Sequence, residues 1–186
     1  MDTNTENIIK KVIKRAIDLY LDENTILNID NESYQNDFLK NSFGVFIEIS
    51  DNEGNTNALG NIQSDALLLN NIVYVLINII KNLRETYMEK LKNNELNIRI
   101  WIVDNYINLK GKAENEKIYN VSINKPAILI NKDEISTYCY LPSVWETESD
   151  TTFILENLSI NAGLDKDAWK DNGIDLITFK PLLVTL

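Results

Sequence analysis

Residues 96–103 read Leu-Asn-Ile-Arg-Ile-Trp-Ile-Val and carry the plainest structural pattern in the chain. Leucine or isoleucine stands at every second position, which predicts a half-buried β-strand because successive strand side chains point to opposite faces. Toward the N-terminus, Phe43–Ser50 predicts a second strand, Asp51–Gly54 a turn, and Thr56–Ile62 a third strand that returns beside it. These segments predict an antiparallel sheet.

Helical periodicity predicts the elements that cover this sheet. Apolar residues recur at helical spacing over Ile8–Leu21, and the preceding Thr3–Glu6 has the form of a capping box. A long second helix is predicted to begin at a cap on Ser64 or Asp65 and to run to about Lys92. Its first half is apolar nearly all round, as a buried helix must be.

The remaining half of the chain is predicted in coarser outline. Its expected elements are a weakly structured stretch, a hairpin of two strands, a helix, a short helical turn and one or two closing strands: Tyr106–Val121, Ala127–Ile130 with Ile135–Leu141, a helix from Ser149 or Asp150 to Gly163, Asp165–Asp171, and Ile174–Thr185. The whole predicts an α+β fold with a mainly antiparallel sheet flanked by helices. No linker divides the chain, so residues 1–186 are expected to form a single domain, with or without a smaller inserted lobe.

The formal net charge of −10 and the sequence pI of about 4.5 limit the classes of partner. A nucleic-acid-binding protein needs a cationic face, and the basic cluster within Lys10–Arg15 is expected to be a solvated helix face. Anionic lipid headgroups repel an acidic chain, and the longest apolar run, Ala66–Ile80, is too short to span a bilayer. We therefore expect no nucleic-acid partner and no membrane partner.

The cysteine content and the N-terminal residues predict a cellular location. The single cysteine, Cys139, cannot form an internal disulfide, which is typical of a reducing compartment. Met1–Glu6 lacks the cationic and apolar regions of a signal peptide. We expect a cytoplasmic protein, and the sequence leaves open whether it is a monomer or a homodimer.

The chain contains no histidine, which removes whole classes of chemistry. Serine–histidine and cysteine–histidine catalysis are excluded, and so are zinc sites that need histidine or four cysteines. Along its predicted strand, Cys139 shares an apolar face with Ile135, Thr137 and Leu141. Thiols buried on such a face are normally inert. The acidic segment Asp165–Gly173 does not fit a calcium loop, because a tryptophan occupies a ligand position. No metal and no cofactor are predicted.

Two short motifs lie at the ends of predicted strands. Leu59–Ile62 contains one glycine, which is too little for a phosphate-binding loop and indicates a strand end or a tight turn. Pro142–Trp145 directly follows a strand, so a turn places Trp145 at the edge of the sheet. There the indole is either a capping aromatic group of the core or a platform on which a ligand stacks.

Several segments, taken together, resemble the AMMECR-type domain family, also known as protein A of the AmmeMemoRadiSam system. The resemblance runs from the first helix to the C-terminus. Phe43–Phe46 matches the family's Gly-Val-Phe strand, and Tyr140–Trp145 contains its Leu-Pro-x-Val motif. Phe153 and Leu158 lie in the helix that follows. Ala162–Leu164 matches the end of the Lys-Ala-Gly-Leu motif, and Asp167–Trp169 contains the nearby tryptophan. The order and spacing of these pieces give the resemblance its specificity.

The polar positions of the family pattern are where this chain departs from it. The family hallmark Leu-Arg-Gly-Cys-Ile-Gly aligns to Ala58–Gln63, where the first glycine and the isoleucine alone match and Asn61 replaces the cysteine. The family segment Asp-Pro-Arg-Phe falls near Asn82–Glu85, where Arg84 alone is retained. The lysine of the Lys-Ala-Gly-Leu motif is Asn161.

The resemblance implies two unequal lobes with a cleft between them, and a larger lobe whose sheet is built from both ends of the chain. It implies no settled activity, although genomic pairing with Memo-like and radical-SAM proteins suggests a redox or nucleotide-modifying pathway. If the hallmark cysteine is catalytic in typical members, this chain should lack that activity.

We therefore hypothesise a non-enzymatic adaptor that binds a ligand or a protein. The candidate binding residues are those expected to line or border the implied cleft: Gly60, Asn61, Gln63, Arg84, Pro142 and Trp145. Arg84 could pair an anionic group, Asn61 could hydrogen-bond a ligand, and Trp145 could stack. Two alternatives stay open. One is an enzyme of the same pathway that uses Asn61 and carboxylates, and the other is a small acidic inhibitor, like an antitoxin, that masks a basic surface.

Overall fold

The computed structural model describes residues 1–133 and 137–186, which form two compact units. Unit 1 comprises Met1–Asp104 and Leu182–Leu186, and unit 2 comprises Asn105–Pro181. In chain order the helices are α1 (Thr3–Glu23), α2 (Leu68–Lys81), α3 (Glu85–Lys92), α4 (Glu114–Asn124) and α5 (Thr151–Asn161). The strands are β1 (Gly44–Ser50), β2 (Thr56–Asn61), β3 (Asn97–Val103), β4 (Ile107–Asn108), β5 (Ala127–Asn131), β6 (Thr137–Tyr140), β7 (Asp175–Phe179) and β8 (Leu182–Thr185). The α+β prediction is confirmed.

Unit 1 is built on an antiparallel sheet with the strand order β2-β1-β3-β8. Alternate residues of β1 and β3 lie in register, with Ile47 opposite Ile100, and they form one core with the buried faces of α1 and α2. Each fully buried aliphatic side chain of this kind contributes about 1.5–3 kcal/mol of transfer free energy. The sheet takes β8 from the far end of the chain, so the expectation of a sheet built from both ends is confirmed.

The ends of two helices in unit 1 differ from the prediction. Helix α1 is capped by Asp2, whose carboxylate accepts from the Thr5 amide at 2.7 Å, and the predicted capping box beginning at Thr3 is wrong by one residue. The long second helix is wrong as a single element. It begins only at Leu68 and stops at Lys81, where the side chain of Asn82 donates to the Asn78 carbonyl.

Unit 2 is built on a second antiparallel sheet, with the strand order β4-β7-β5-β6. Helices α4 and α5 contribute Val121 and Leu158 to one core with Ile128 and Ile130 of β5. Both helices therefore cover the same face of this sheet. The predicted cap of α5 is confirmed at Asp150, which accepts from two amides of the first turn.

Gly163 ends α5 as predicted. Its φ is +73°, the left-handed conformation that glycine adopts most easily, and the Leu164 amide reaches back to the Ser159 carbonyl at 3.0 Å. The predicted helical turn that follows is confirmed as a 3-10 helix over Ala168–Lys170.

One prediction for unit 2 is wrong. The stretch Tyr106–Val121 is not weakly structured, since it contains β4 and most of α4. Cys139 lies opposite the buried Leu129, on the face of the sheet away from the helices and the unit 2 core, and Thr137 beside it is exposed. The thiol thus has an apolar neighbour on β5, in keeping with the buried thiol that the sequence predicts. Of the strand predicted from Ile135, the first two residues lie outside the described part of the chain.

No helix within residues 1–133 and 137–186 combines the length and the apolar character that a membrane span requires.

Candidate functional site

Gly60 lies where β2 passes closest to β1. It sits opposite Phe46 in the register, and a Cβ on it would stand 2.5 Å from the Phe46 Cα and would also meet the Val45 carbonyl oxygen. Real Cβ atoms essentially never come within 3.0 Å of such atoms. Glycine is therefore required here by the packing of two strands, which accounts for the one hallmark glycine that the chain keeps.

Asn61, at the position aligned to the hallmark cysteine, is held by a second asparagine. Its amide nitrogen donates to the Asn71 Oδ1 at 3.0 Å, and the Asn71 Nδ2 donates back to the Asn61 Oδ1 at 3.1 Å. Asn71 also donates to the Phe43 carbonyl at 2.8 Å and is 2% exposed. This reciprocal amide pair fastens the end of β2 to the first turn of α2.

Gln63 and Arg84 are both exposed, but they lie in different parts of unit 1. Gln63 follows β2 near Asn61, whereas Arg84 follows the last turn of α2 and stands at the N-cap of α3. The ten residues from Asn71 to Lys81 rise about 15 Å along a helix axis. The structure thus groups Gly60, Asn61 and Gln63 on one strand end and places Arg84 beyond the opposite end of α2.

Pro142 and Trp145 belong to unit 2, in a 3-10 helix over Pro142–Glu146. The indole Nε1 of Trp145 donates to the Pro126 carbonyl at 2.8 Å, and its ring packs against the unit 2 core. Of the two interpretations of Trp145, this geometry is that of a capping aromatic group.

A buried polar set on the other face of the unit 1 sheet was not predicted. Glu48 is buried on β1, and the Arg99 guanidinium opposite it on β3 stands 3.3 Å from its carboxylate. Two residues further along β3, the buried indole Nε1 of Trp101 has no hydrogen-bond partner among the described residues. The alternation of residues 96–103 assigned Arg99 and Trp101 to this face, but the sequence does not show that the face is buried.

An ion-pair cluster joins the end of β1 to α3. The Asp51 carboxylate accepts from the Lys90 Nζ at 2.9 Å, from the Tyr87 hydroxyl at 3.1 Å and from the Asn55 amide at 3.0 Å. These partners, Lys90 first, hold the pKa of Asp51 well below its ordinary value, and Asp51 in turn raises the pKa of Lys90. Burial and the neighbouring carboxylate raise the pKa of Tyr87. The cluster closes a turn and docks a helix.

Lys117 is a fully buried cation in unit 2. Its Nζ donates to the carbonyls of Trp169, Lys170 and Asp171 at 3.0, 3.2 and 3.1 Å, at the end of the 3-10 helix. Burial lowers the pKa of Lys117. All three ammonium donors are used by backbone oxygens, so this lysine caps a turn.

The thiol and the potential metal ligands can be assessed directly. Burial raises the pKa of the Cys139 thiol, which disfavours the nucleophilic thiolate. Within residues 1–133 and 137–186, no three histidine, cysteine, aspartate or glutamate side chains come together as metal ligands.

The match to a known family covers nearly the whole chain. The family model for AMMECR1 matches residues 10–183. This chain belongs to the AMMECR1 family. The resemblance seen in the sequence is thereby confirmed, and in this AMMECR1 chain the hallmark position is the one that the Asn61–Asn71 pair occupies.

Among solved structures, this AMMECR1 chain is similar to the uncharacterized protein PH0010 from Pyrococcus horikoshii. The TM-score is 0.77 at 16% sequence identity, over 95% of this chain and 88% of that chain. At this identity the likeness shows the fold alone. No curated protein matches the chain.

Proposed function

We propose that this AMMECR1 protein is a non-enzymatic binding domain that acts as an adaptor. The observation that carries the proposal is the amide pair at the hallmark position, where Asn61 and Asn71 exchange two hydrogen bonds of 3.0 and 3.1 Å. A group that already donates to and accepts from a buried neighbour is poorly placed to attack or polarise a substrate. Asn61 therefore positions the end of β2.

The ionisable groups with shifted pKa values support the same proposal. Asp51 holds the turn after β1 against α3, and Lys117 caps a backbone turn. Catalytic groups with perturbed pKa values normally face a cleft, with a partner of matched chemistry beside them. In these two cases the partners are helix side chains or backbone groups of a turn, which is the pattern of structural ion pairs.

The proposed contact residues for a ligand are the two exposed ones, Gln63 and Arg84. The Arg84 guanidinium could pair an anionic group, as an extended fork of N–H donors does with carboxylate or phosphate. Gly60 and Trp145 are proposed to contribute through the shape of their surroundings, because their contacts are already made within the protein.

The experiment that tests the absence of catalysis is an incubation of purified protein with a small-molecule extract of its source cells. Metabolites are quantified before and after, and the same protein after heat unfolding is the control. We expect no metabolite to change with folded protein alone. Consumption of a metabolite by the folded protein, absent from the unfolded control, would overturn the proposal.

The experiment that tests binding is affinity capture from source cells, followed by titration of whatever is retained. We expect a stoichiometric partner or ligand that binds wild-type protein and Cys139→Ser equally, since the thiol has no role in the proposal. Arg84→Ala is expected to weaken the binding of an anionic ligand at least ten-fold. The matched control is Arg15→Ala, which removes an exposed arginine of α1. If wild-type protein retains neither a partner nor a ligand, the result counts against the adaptor function.

A further inference from the structure

Helix α4 presents apolar side chains on the side that faces away from its core. Tyr119 and Ile123 are 62% and 59% exposed, and each follows a buried residue, Lys117 or Val121, by two positions. Two residues advance about 200° around a helix, so this stripe is diametrically opposite the buried one. A solvated helix normally places charged or polar residues there.

Helix α5 repeats the pattern. Phe153 and Ile160 are 52% and 53% exposed. Phe153 lies two positions before the buried Leu155, and Ile160 lies two positions after the buried Leu158, so both also face outward. The two residues are separated by seven positions, or about two turns, and form one stripe along the helix.

The two stripes lie on the same side of unit 2. Helices α4 and α5 pack against each other and cover the same face of the β4-β7-β5-β6 sheet. Neighbouring helices are about 8–10 Å apart. We call the exposed residues Tyr119, Ile123, Phe153 and Ile160 the outer helical surface. Scattered single apolar residues are ordinary on a protein surface, whereas four on one two-helix layer indicate an interaction surface.

A hollow borders this surface beside Tyr119. Its volume is about 390 Å³. The residues that line it are Lys112, Asn115, Glu116, Tyr119 and Asn120. Apart from the Tyr119 ring its lining is polar, which suits the polar rim of an interface whose apolar centre lies on the neighbouring stripe.

The charge along α5 and its flanks is acidic. Residues 137–165 contain no lysine or arginine and the following acidic residues: Glu146, Glu148, Asp150, Glu156 and Asp165. On α4, the side chain of Glu116 makes no ion pair with any residue of the described ranges 1–133 and 137–186. Among the described residues, Glu156 forms an ion pair with Lys166 alone, at 3.5 Å.

We propose that the outer helical surface docks an amphipathic helix of a partner protein whose apolar stripe is flanked by lysine or arginine. The proposal rests on the adaptor function proposed above and adds the surface and the chemistry of the partner. Apolar anchors at helical spacing give the affinity, and the acidic flank selects a basic partner and speeds its encounter. A second copy of this chain is disfavoured as the occupant, because a two-fold interface would place the acidic flank of one copy against the identical acidic flank of the other.

The test uses the full chain and a designed probe. The probe is a helical peptide of about 18 residues with leucine at i, i+3, i+4 and i+7 and lysine on the flanks, labelled for fluorescence anisotropy. We expect a dissociation constant in the micromolar range at low salt. The double substitution Tyr119→Ser with Ile123→Ser is expected to weaken probe binding at least ten-fold. Raising the NaCl concentration to 0.5 M is expected to weaken it a few-fold.

The matched control is Tyr74→Ser with Ile26→Ser. These side chains are 65% and 53% exposed, so the substitutions remove similar apolar surface from unit 1. The control variant is expected to bind the probe like wild-type protein. A peptide with glutamate in place of every lysine is expected to bind at least ten-fold more weakly. Circular dichroism of both variants establishes that each remains folded.

Six outcomes would overturn the inference. The first four are absence of probe binding, equal binding by the two double variants, equal binding of the acidic peptide, and binding to phosphatidylglycerol vesicles that the Tyr119/Ile123 variant loses. Self-association in sedimentation that the same variant abolishes would assign the surface to a second copy instead. If the captured partner still binds the variant at full affinity, this inference fails while the adaptor function stands.

Discussion

Replacing Gly60 by alanine is expected to destabilise unit 1 out of proportion to the single methyl group added. The new Cβ would stand 2.5 Å from the Phe46 Cα and would also meet the Val45 carbonyl oxygen, so backbone has to move by at least about 0.5 Å to restore 3.0 Å. No rotamer change relieves a collision between backbone atoms. Overpacking of this kind costs about 1–3 kcal/mol, and the contact with two backbone groups favours the upper end.

A smaller opposing effect comes from the unfolded chain. Alanine has fewer unfolded conformations than glycine, which stabilises the folded state by about 0.4–1 kcal/mol. The net loss for Gly60→Ala is therefore about 2 kcal/mol, equivalent to a fall in Tm of about 4–8 °C for a chain of this size. The measurement is urea unfolding followed by tryptophan fluorescence, with Trp101 on β3 opposite Phe46 as a reporter within the same sheet.

The control for this prediction is Ala58→Ser. Ala58 is exposed on β2, two residues from Gly60 and on the same face of the strand, so its substitution changes the sequence but not the approach to β1. We expect a change within about 0.5 kcal/mol for the control. Equal unfolding midpoints for Gly60→Ala and Ala58→Ser would refute the argument that strand packing is what requires glycine.

Three further predictions concern buried polar groups. Asp51→Asn is expected to lower stability at pH 7, whereas Glu53→Gln is nearly neutral. Because the folded-state pKa of Asp51 is lowered, its contribution to stability is present above the unfolded pKa of about 4 and is lost below it. The difference in unfolding free energy between Asp51→Asn and wild type should therefore narrow in urea titrations at decreasing pH. A difference that stays constant with pH contradicts this. Asn61→Cys, which restores the family's residue, leaves the Asn71 amide without its partner and should cost about 1–3 kcal/mol in urea unfolding, with an unchanged midpoint as the contrary result. Lys117→Met leaves three turn carbonyls without a donor and should cost about 2 kcal/mol by thermal unfolding, and a stabilised variant would show that desolvation of the ammonium outweighs its hydrogen bonds.

The central sheet of unit 1 could be predicted closely from the sequence. The strands expected at Phe43–Ser50 and Leu96–Val103 are observed at Gly44–Ser50 and Asn97–Val103. In both, β-branched residues alternate with others over seven positions, and burial of one face by helices enforces that alternation. Patterns of this strength leave little freedom in register or in the limits of the strand.

Helix α4 could not be predicted, for a physical reason. Its buried positions include Lys117, and its outward positions include Tyr119 and Ile123. Apolar residues therefore occur on both sides of the helix and a charged one occurs inside, which cancels the helical period. Tyr119 and Ile123 therefore obscure the helical period in the sequence, and in the structure they form part of the proposed interaction surface.

The environment of Asn61 was equally inaccessible to sequence analysis. The sequence places Asn61 at the hallmark position, but its role is set by Asn71, which lies ten residues away on another element. An amide can bind a ligand or a neighbouring amide with the same atoms. Only the three-dimensional pairing distinguishes these uses, and the interruption between α2 and α3 at Asn82 likewise depends on a local side-chain bond to the Asn78 carbonyl.

Because strand β8 belongs to unit 1 but follows unit 2 in the chain, unit 1 can be completed during synthesis only after unit 2. Unit 2 is one continuous segment, Asn105–Pro181, whereas the sheet of unit 1 ends with Leu182–Thr185, which are made after it. Until β8 arrives, β3 is an exposed edge with an uncovered row of backbone groups and lacks the buried Val184 beside Ile100. An uncovered edge of this kind recruits other chains. Nascent or C-terminally clipped protein should therefore be the aggregation-prone species, and unit 1 the part that a ribosome-bound chaperone has to shield.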